Sequence, residues 1–344
     1  MWNPDHYLEE AYQAAREQDA GRQRPWNERR SGVRAALVEA LGPVPAAGAP
    51  LEPEVIGRWE LEAGRLERVV YTTHAGLRMP AFVLVPAGLK GRAPAVIAWH
   101  GHGIGSRELV GLRADDTPAE ARPDGRRPAA LQLAERGLIV IAPEIVGFGD
   151  RRLAADLPKD PHTTSSCFAL ASRLLMCGQT LAGLRVYEAM RALDYTAGRE
   201  DVDPQRIGCM GFSGGGLVAA FAAALDPRLQ AALLCGFTNT FAGSLWKRTH
   251  CIDNYLPGIL KAAELPELIG LIAPRSLFVE SGEGDGLFPA ASFREAASVL
   301  ETIYREEGAR ERFGSDLFPG KHEVSGRLSF DWLAQSLKRN APIE

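Results

Sequence analysis

The segment that most constrains this chain runs Arg206-Ile207-Gly208-Cys209-Met210-Gly211-Phe212-Ser213-Gly214-Gly215-Gly216-Leu217. A short apolar strand, Ile207 to Met210, leads straight into Gly-x-Ser-x-Gly, and an alanine-rich helix runs on from Leu217 to Leu225. Passing from strand to helix around a single residue demands a very sharp turn. Gly211 and Gly215 carry no Cβ, so the two backbones can approach closely, and Ser213 is left at the apex, strained, with its hydroxyl exposed. The helix N-terminus points at that hydroxyl, where free N–H groups and the helix dipole favour negative charge. This suits a serine that attacks a carbonyl carbon. The plainer alternative is a glycine-rich turn holding an incidental serine.

A serine hydroxyl needs a base, and the base needs a group that fixes its tautomer. Two histidines follow Ser213. His322 comes after the last expected strand, in Phe318-Pro319-Gly320-Lys321-His322-Glu323-Val324, where a loop can deliver an imidazole to the carboxyl edge of an open sheet. It is the expected base. His250, in His250-Cys251-Ile252-Asp253-Asn254-Tyr255, is assigned to pocket wall or lid packing. The acid should follow the preceding strand, where Glu283 and Asp285 share a glycine-rich loop while Glu280 still belongs to the strand. Asp285 is preferred for its shorter side chain and its place just before the next helix. Glu283 is the alternative, and the carboxylate not used by the base is left to turn formation or helix capping.

Negative charge on the attacked oxygen needs donors. One is the Gly214 N–H. The second is expected from Trp99-His100-Gly101-His102-Gly103-Ile104-Gly105, with the His102 N–H favoured and Gly103 as the alternative. His100 and His102 also suggest metal ligands, but no third ligand lies near them in sequence, so no metal is expected. His100, Gly103, Glu144, Phe212 and His250 are candidate pocket residues. Glu144 and Arg151, after another strand, either touch substrate or form a local ion pair that fixes their loop.

Around this core the chain alternates apolar strands and amphipathic helices, which argues for an α/β fold with a mostly parallel sheet covered on both faces. The strands are expected at 67–71, 81–85, 95–99, 138–142, 207–210, 229–235, 276–281 and 311–316. Helices are expected at 128–136, 168–198, 290–304 and 327–338. Residues 1–65 read as a helical extension, cap or oligomer contact, ending in a Pro/Ala/Gly linker from Pro43 to Pro53. Residues 66–344 form the catalytic domain, and 236–264 interrupt its rhythm as a lid-like insertion. A net charge of −4 gives no electrostatic case for nucleic acid or acidic membranes. The first residues show no basic region followed by an apolar run, and the five cysteines have no close metal-ligand spacing, which together suit a cytoplasmic location. The expected partner is a small-molecule ester, with homo-oligomers possible.

The loop His100-Gly101-His102-Gly103, the elbow Gly211 to Gly215, Gly282 to Asp285 with Phe288-Pro289, and His322 together resemble the α/β-hydrolase superfamily over about residues 66 to 338. The lead-in Asp203-Pro204-Gln205-Arg206-Ile207-Gly208 and Ala273-Pro274-Arg275-Ser276 are similar to the acetyl xylan esterase and dienelactone hydrolase-like branch. The resemblance implies a Ser-His-Asp esterase without a cofactor, acting on small acyl esters such as acetylated carbohydrates. Dienelactone hydrolases proper use a cysteine where this chain has Ser213, and the residues before the sheet are too few for the propeller of a prolyl oligopeptidase. The rival readings are a small acyl-peptidase and a binding protein that kept the fold without catalysis.

Overall fold

The computed structural model describes residues 2–19, 23–45, 48–120 and 127–339. Two helices come first, α1 (Asp5–Glu17) and α2 (Trp26–Leu41). One face of α2, formed by Trp26, Val33, Leu37, Ala40 and Leu41, is buried in the main core. Three antiparallel strands follow, β1 (Glu54–Leu61), β2 (Gly64–His74) and β3 (Leu77–Pro86). The sequence patterns did not reveal β1. It is an edge strand exposed at all but one position, so burial imposes no alternation on it.

From there strands and helices alternate: β4 (Ala93–Trp99), α3 (Arg107–Val110), α4 (Ala129–Glu135), β5 (Ile139–Pro143), α5 (Cys167–Met176), α6 (Leu181–Ala197), β6 (Val202–Phe212) and α7 (Gly214–Leu225). Then come β7 (Leu229–Cys235), α8 (Leu265–Gly270), β8 (Ser276–Gly282), α9 (Ala290–Glu306), β9 (Phe313–Phe318) and α10 (Ser329–Arg339). The sheet order is β1-β2-β3-β5-β4-β6-β7-β8-β9. β3 meets β5 antiparallel, and the six strands from β5 to β9 in that order are parallel. This is the mostly parallel, helix-flanked sheet that the alternation implied.

Side chains along each strand alternate between two cores. In β4, Ala95, Ile97 and Trp99 join the cluster that holds α2, α6 and α7, while Val96 and Ala98 join Leu109, Leu133 and Leu337 on the opposite face. α7 is apolar on all sides and buried from Gly214 to Ala224, so its alanines let it lie close against the sheet. Because six strands run the same way, their carboxyl ends share one edge. The loops after β4, β6, β8 and β9 therefore gather there.

Two regions depart from expectation or refine it. The long helical stretch expected over 168–198 is two helices, α5 and α6, meeting at a bend of 101°. Gly178 at φ +71° ends the first, and the Thr180 hydroxyl caps the second by accepting the Gly183 N–H at 2.9 Å. Among the described residues no single helix is long and apolar enough to cross a membrane. The insertion after β7 is bound tightly to the body. Phe237, Phe241, Leu245, Leu256 and Ile259 enter the main core, and buried Asp253 pairs with buried Arg185 of α6. The N-terminal helices grip the end of this segment and α8 after it, with the Tyr12 hydroxyl donating to Glu264 at 2.6 Å and Arg29 paired to Glu267.

Candidate active site

Ser213 sits between β6 and α7 at φ +55°, ψ −118°, a left-handed conformation that costs a non-glycine residue strain. The turn is held from one side by the Ser213 N–H, which donates to the Cys235 carbonyl at 2.9 Å. Glycine is required on both flanks. A Cβ on Gly211 would lie 2.0 Å from the Gly215 carbonyl oxygen, and one on Gly215 would lie 2.3 Å from that of Trp99. Backbone on both sides cannot yield as a side chain would. Gly215→Ala is therefore expected to destabilise by at least the ~1–3 kcal/mol typical of overpacking, read as a lowered urea midpoint. An unchanged midpoint would show that the elbow has slack.

The expected base and acid meet this serine. His322 Nε2 lies 2.9 Å from Ser213 Oγ, and His322 Nδ1 lies 2.8 Å from Asp285 Oδ2. The Asp285 side chain is fully buried, and its Oδ1 accepts the N–H groups of Leu287 at 2.8 Å and Phe288 at 3.0 Å. Glu283, the alternative acid, is exposed and does not reach His322; its N–H donates to the Phe318 carbonyl. The His322 ring stacks on Phe288 with centroids 5.7 Å apart and leans on Phe212 at 4.8 Å. Ser213 is only 9% exposed, less open than the apex of a bare turn, because these rings and the loop after β4 crowd it.

Burial alone would raise the Asp285 carboxyl, but the hydrogen bonds from His322 and the Phe288 N–H outweigh it, leaving the pKa below the ordinary 3.8. A carboxyl depressed in the folded state contributes stability that is fully present above its unfolded pKa and lost as pH falls through the folded one. Wild-type melting temperature is expected to fall more steeply below about pH 4 than that of Asp285→Asn, which lacks this titration. Parallel melting series at acid pH test this, and equal slopes would count against it.

The loop carrying His322 is fixed by a residue outside the relay. Fully buried Glu280 of β8 accepts the Ser325 N–H at 2.9 Å, and burial raises its pKa. Sequence patterning placed Glu280 in the strand but gave it no task; a lone carboxylate inside an apolar strand was the available signal.

On the other side of Ser213 lies the loop 100–105. Gly214 begins α7, so its N–H has no partner within the helix. The His102 and Gly103 N–H groups donate to no protein acceptor among the described residues, whereas that of Ile104 reaches Glu108. A Cβ on Gly214 would stand 3.3 Å from the His102 ring, which puts this loop over the helix start. His100 forms the buried floor of the loop. It accepts the Ile145 N–H at Nε2 (3.0 Å), so Nδ1 carries the proton donated to the Gly101 carbonyl (2.7 Å).

Of the candidate pocket residues, Glu144 takes another place and His250 takes up lid packing. Glu144 is fully buried and cannot touch a substrate; it accepts both the N–H and the hydroxyl of Ser106, pinning the loop from behind. Nor does it pair with Arg151, whose guanidinium binds Glu188 through two hydrogen bonds and donates to the Glu144 carbonyl. His250 packs against Phe288 at 5.0 Å, with Nε2 3.0 Å from the Ser244 hydroxyl, so it buttresses the site from outside. Phe212 does line a pocket. From Phe212 and His322 a cavity of about 990 Å³ extends along Ile104, Glu108, Leu109 and Arg113, mixing apolar walls with charge.

Cysteines distant in sequence are also brought together here. The thiols of Cys167 and Cys251 lie near the His102 ring, beside the Arg185–Asp253 pair. Arg185 lies one turn after Leu181 on the buried face of α6, and a cation at that position was a hint of a buried polar centre.

Comparison with known proteins bears on this architecture. A model of the Abhydrolase family matches residues 7–302. "Putative hydrolase YtaP" of Bacillus subtilis (strain 168) is 30% identical over 292 residues, covering 82% of this chain and 90% of that protein. A "putative acetyl xylan esterase" from Bacteroides fragilis NCTC 9343 superposes with a TM-score of 0.69 at 19% identity, over 85% of this chain and 75% of that one. A glucuronoyl esterase from Solibacter usitatus does so with a TM-score of 0.62 at 18% identity, over 90% and 92%. At these identities the two structures speak for the fold alone. The family pattern, by contrast, spans most of the sequence, including the elbow and the loops of His102 and Asp285, and on that ground this chain belongs to the Abhydrolase family of α/β-hydrolases.

Proposed function

We propose that this protein is a serine carboxylester hydrolase acting on small acyl esters. Ser213 Oγ attacks the ester carbonyl carbon and its proton passes to His322 Nε2. Asp285 accepts from Nδ1–H and stabilises the imidazolium. The carbonyl oxygen takes up the electron pair as an oxyanion, facing the N–H groups of Gly214 and His102. Collapse of the tetrahedral species breaks the bond to the alcohol, which leaves with the Nε2 proton. Water, giving a proton to the same nitrogen, then attacks the acyl-enzyme and releases the acid and Ser213. No cofactor enters this scheme.

The observation that carries the reading is the unbroken hydrogen-bonded line from Ser213 through His322 to Asp285. The structural neighbours include esterases named for acetyl xylan and glucuronoyl esters, which favours a carbohydrate ester as substrate. A large cavity with Glu108 and Arg113 on its walls suits a hydroxylated alcohol portion. A panel of p-nitrophenyl acetate, acetylated xylo-oligosaccharides and acyl-amino-acid anilides tests this. Turnover of the esters without the anilides is expected; cleavage of anilides alone would point to an acyl-peptidase instead.

A further inference from the structure

Away from the Ser213 relay, the described residues gather one compact set of metal-ligating side chains. A ring nitrogen of His102 and the Sγ atoms of Cys167 and Cys251 all lie within 4.8 Å of one another. They come from three places: the loop after β4, the first turn of α5 and the insertion after β7. Cys167 is buried, Cys251 half-buried and His102 exposed, so the set opens to solvent on one side. We propose that these three side chains form a binding site for a thiophilic divalent metal ion, Zn²⁺ in the first instance.

The spacing fits such an ion. A tetrahedral zinc with bonds of about 2.3 Å to sulfur and about 2.0–2.1 Å to nitrogen holds its ligand atoms about 3.5–3.8 Å apart. Closing from 4.8 Å takes shifts of about an ångström or less, within reach of small side-chain rotations. Three protein ligands leave the exposed fourth position to water. Outer contacts are also in place. Arg185 Nη2 donates to Cys167 Sγ at 3.1 Å, and Arg185 is itself held by Asp253, two residues beyond Cys251. Charge balances as well. Two thiolates neutralise the dication, with their two protons released to solvent, and Arg185 and Asp253 neutralise each other. The competing use of two adjacent thiols is a disulfide, but a disulfide has no role for the imidazole that completes the set.

Bound metal would tie the loop of His102 to α5 and the insertion. His102 also belongs to the loop proposed to face the oxyanion, but the test of the metal site needs no substrate. Reduced, chelator-stripped full-length protein is titrated with Co²⁺. One equivalent should bind with a thiolate-to-cobalt charge-transfer band, which Zn²⁺ displaces. Cys251→Ser should abolish the band or weaken binding by at least the ~100-fold that outer-shell losses can already cause. Cys177→Ser, an exposed cysteine elsewhere, should leave it unchanged. Near-UV circular dichroism checks that Cys251→Ser is folded, and His102→Ala, altering an exposed side chain, should weaken binding independently. A missing band would overturn the proposal, as would one that survives Cys251→Ser with the wild-type affinity. So would a protein that binds no Co²⁺ yet forms a Cys167–Cys251 disulfide with glutathione disulfide, reducing it to two glutathione thiols.

Discussion

Ser213→Ala is expected to lower ester turnover by about 10⁴-fold or more while leaving the protein folded. The change deletes one oxygen atom, whose polar contact is with His322 Nε2. The elbow is held by backbone and glycine contacts that alanine leaves alone, since the Cys235 carbonyl still receives the N–H of residue 213. Binding and the N–H donors remain, so the residual rate should stay above that of water, as when a triad member is removed elsewhere. The measurement is kcat/KM on p-nitrophenyl acetate, with melting temperature as the control. A fluorophosphonate probe should label the wild type and not the variant. Near wild-type turnover in a folded variant would remove Ser213 as the nucleophile.

Asp285→Asn should cost a comparable factor, about 10⁴, and the structure says why. Oδ1 of residue 285 accepts two backbone N–H groups, from Leu287 and Phe288. In the variant the amide oxygen must stay at that position, because an NH₂ group there would face two donors. The NH₂ is then turned toward His322 Nδ1, which has to become an acceptor. The ring proton moves to Nε2 and points at Ser213, so the imidazole can no longer receive the hydroxyl proton. The loss should fall on kcat more than on KM, with melting near neutral pH changed far less than activity. An equal loss from Glu283→Gln would contradict the assignment, since that side chain lies outside the relay.

Sequence and structure agree where one local rule dominates. The elbow could be read because strand, glycine spacing and helix lie within a dozen consecutive residues and each constrains the next. The parallel strands could be read because strands buried on both faces are apolar along their length, as in β4 and β5. β1 left no trace because an exposed edge strand is under no such demand. The break between α5 and α6 was hidden because Leu174, Leu181 and Leu184 keep a helical spacing across it, and only Gly178 and Thr180 mark the stop. Glu144 was misread for a different reason. Its place after a strand's carboxyl end is a good guide to neighbourhood, but which way a side chain points depends on a loop whose path no local pattern specifies. The approach of Cys167 and Cys251 depends on three distant segments at once and is invisible without the fold.

The cavity beside His322 is walled chiefly by the first half of the chain, from Ile104 through the α3–α4 region, whereas Ser213, Asp285 and His322 all belong to the second half. On the proposed function, substrate choice and proton transfer would be encoded largely in separate stretches. Mutational drift, or a directed library, confined to residues 104–132 could retune which alcohol is accepted without disturbing proton transfer. Libraries drawn from that window should yield altered specificities at a higher rate than ones spread evenly over the gene.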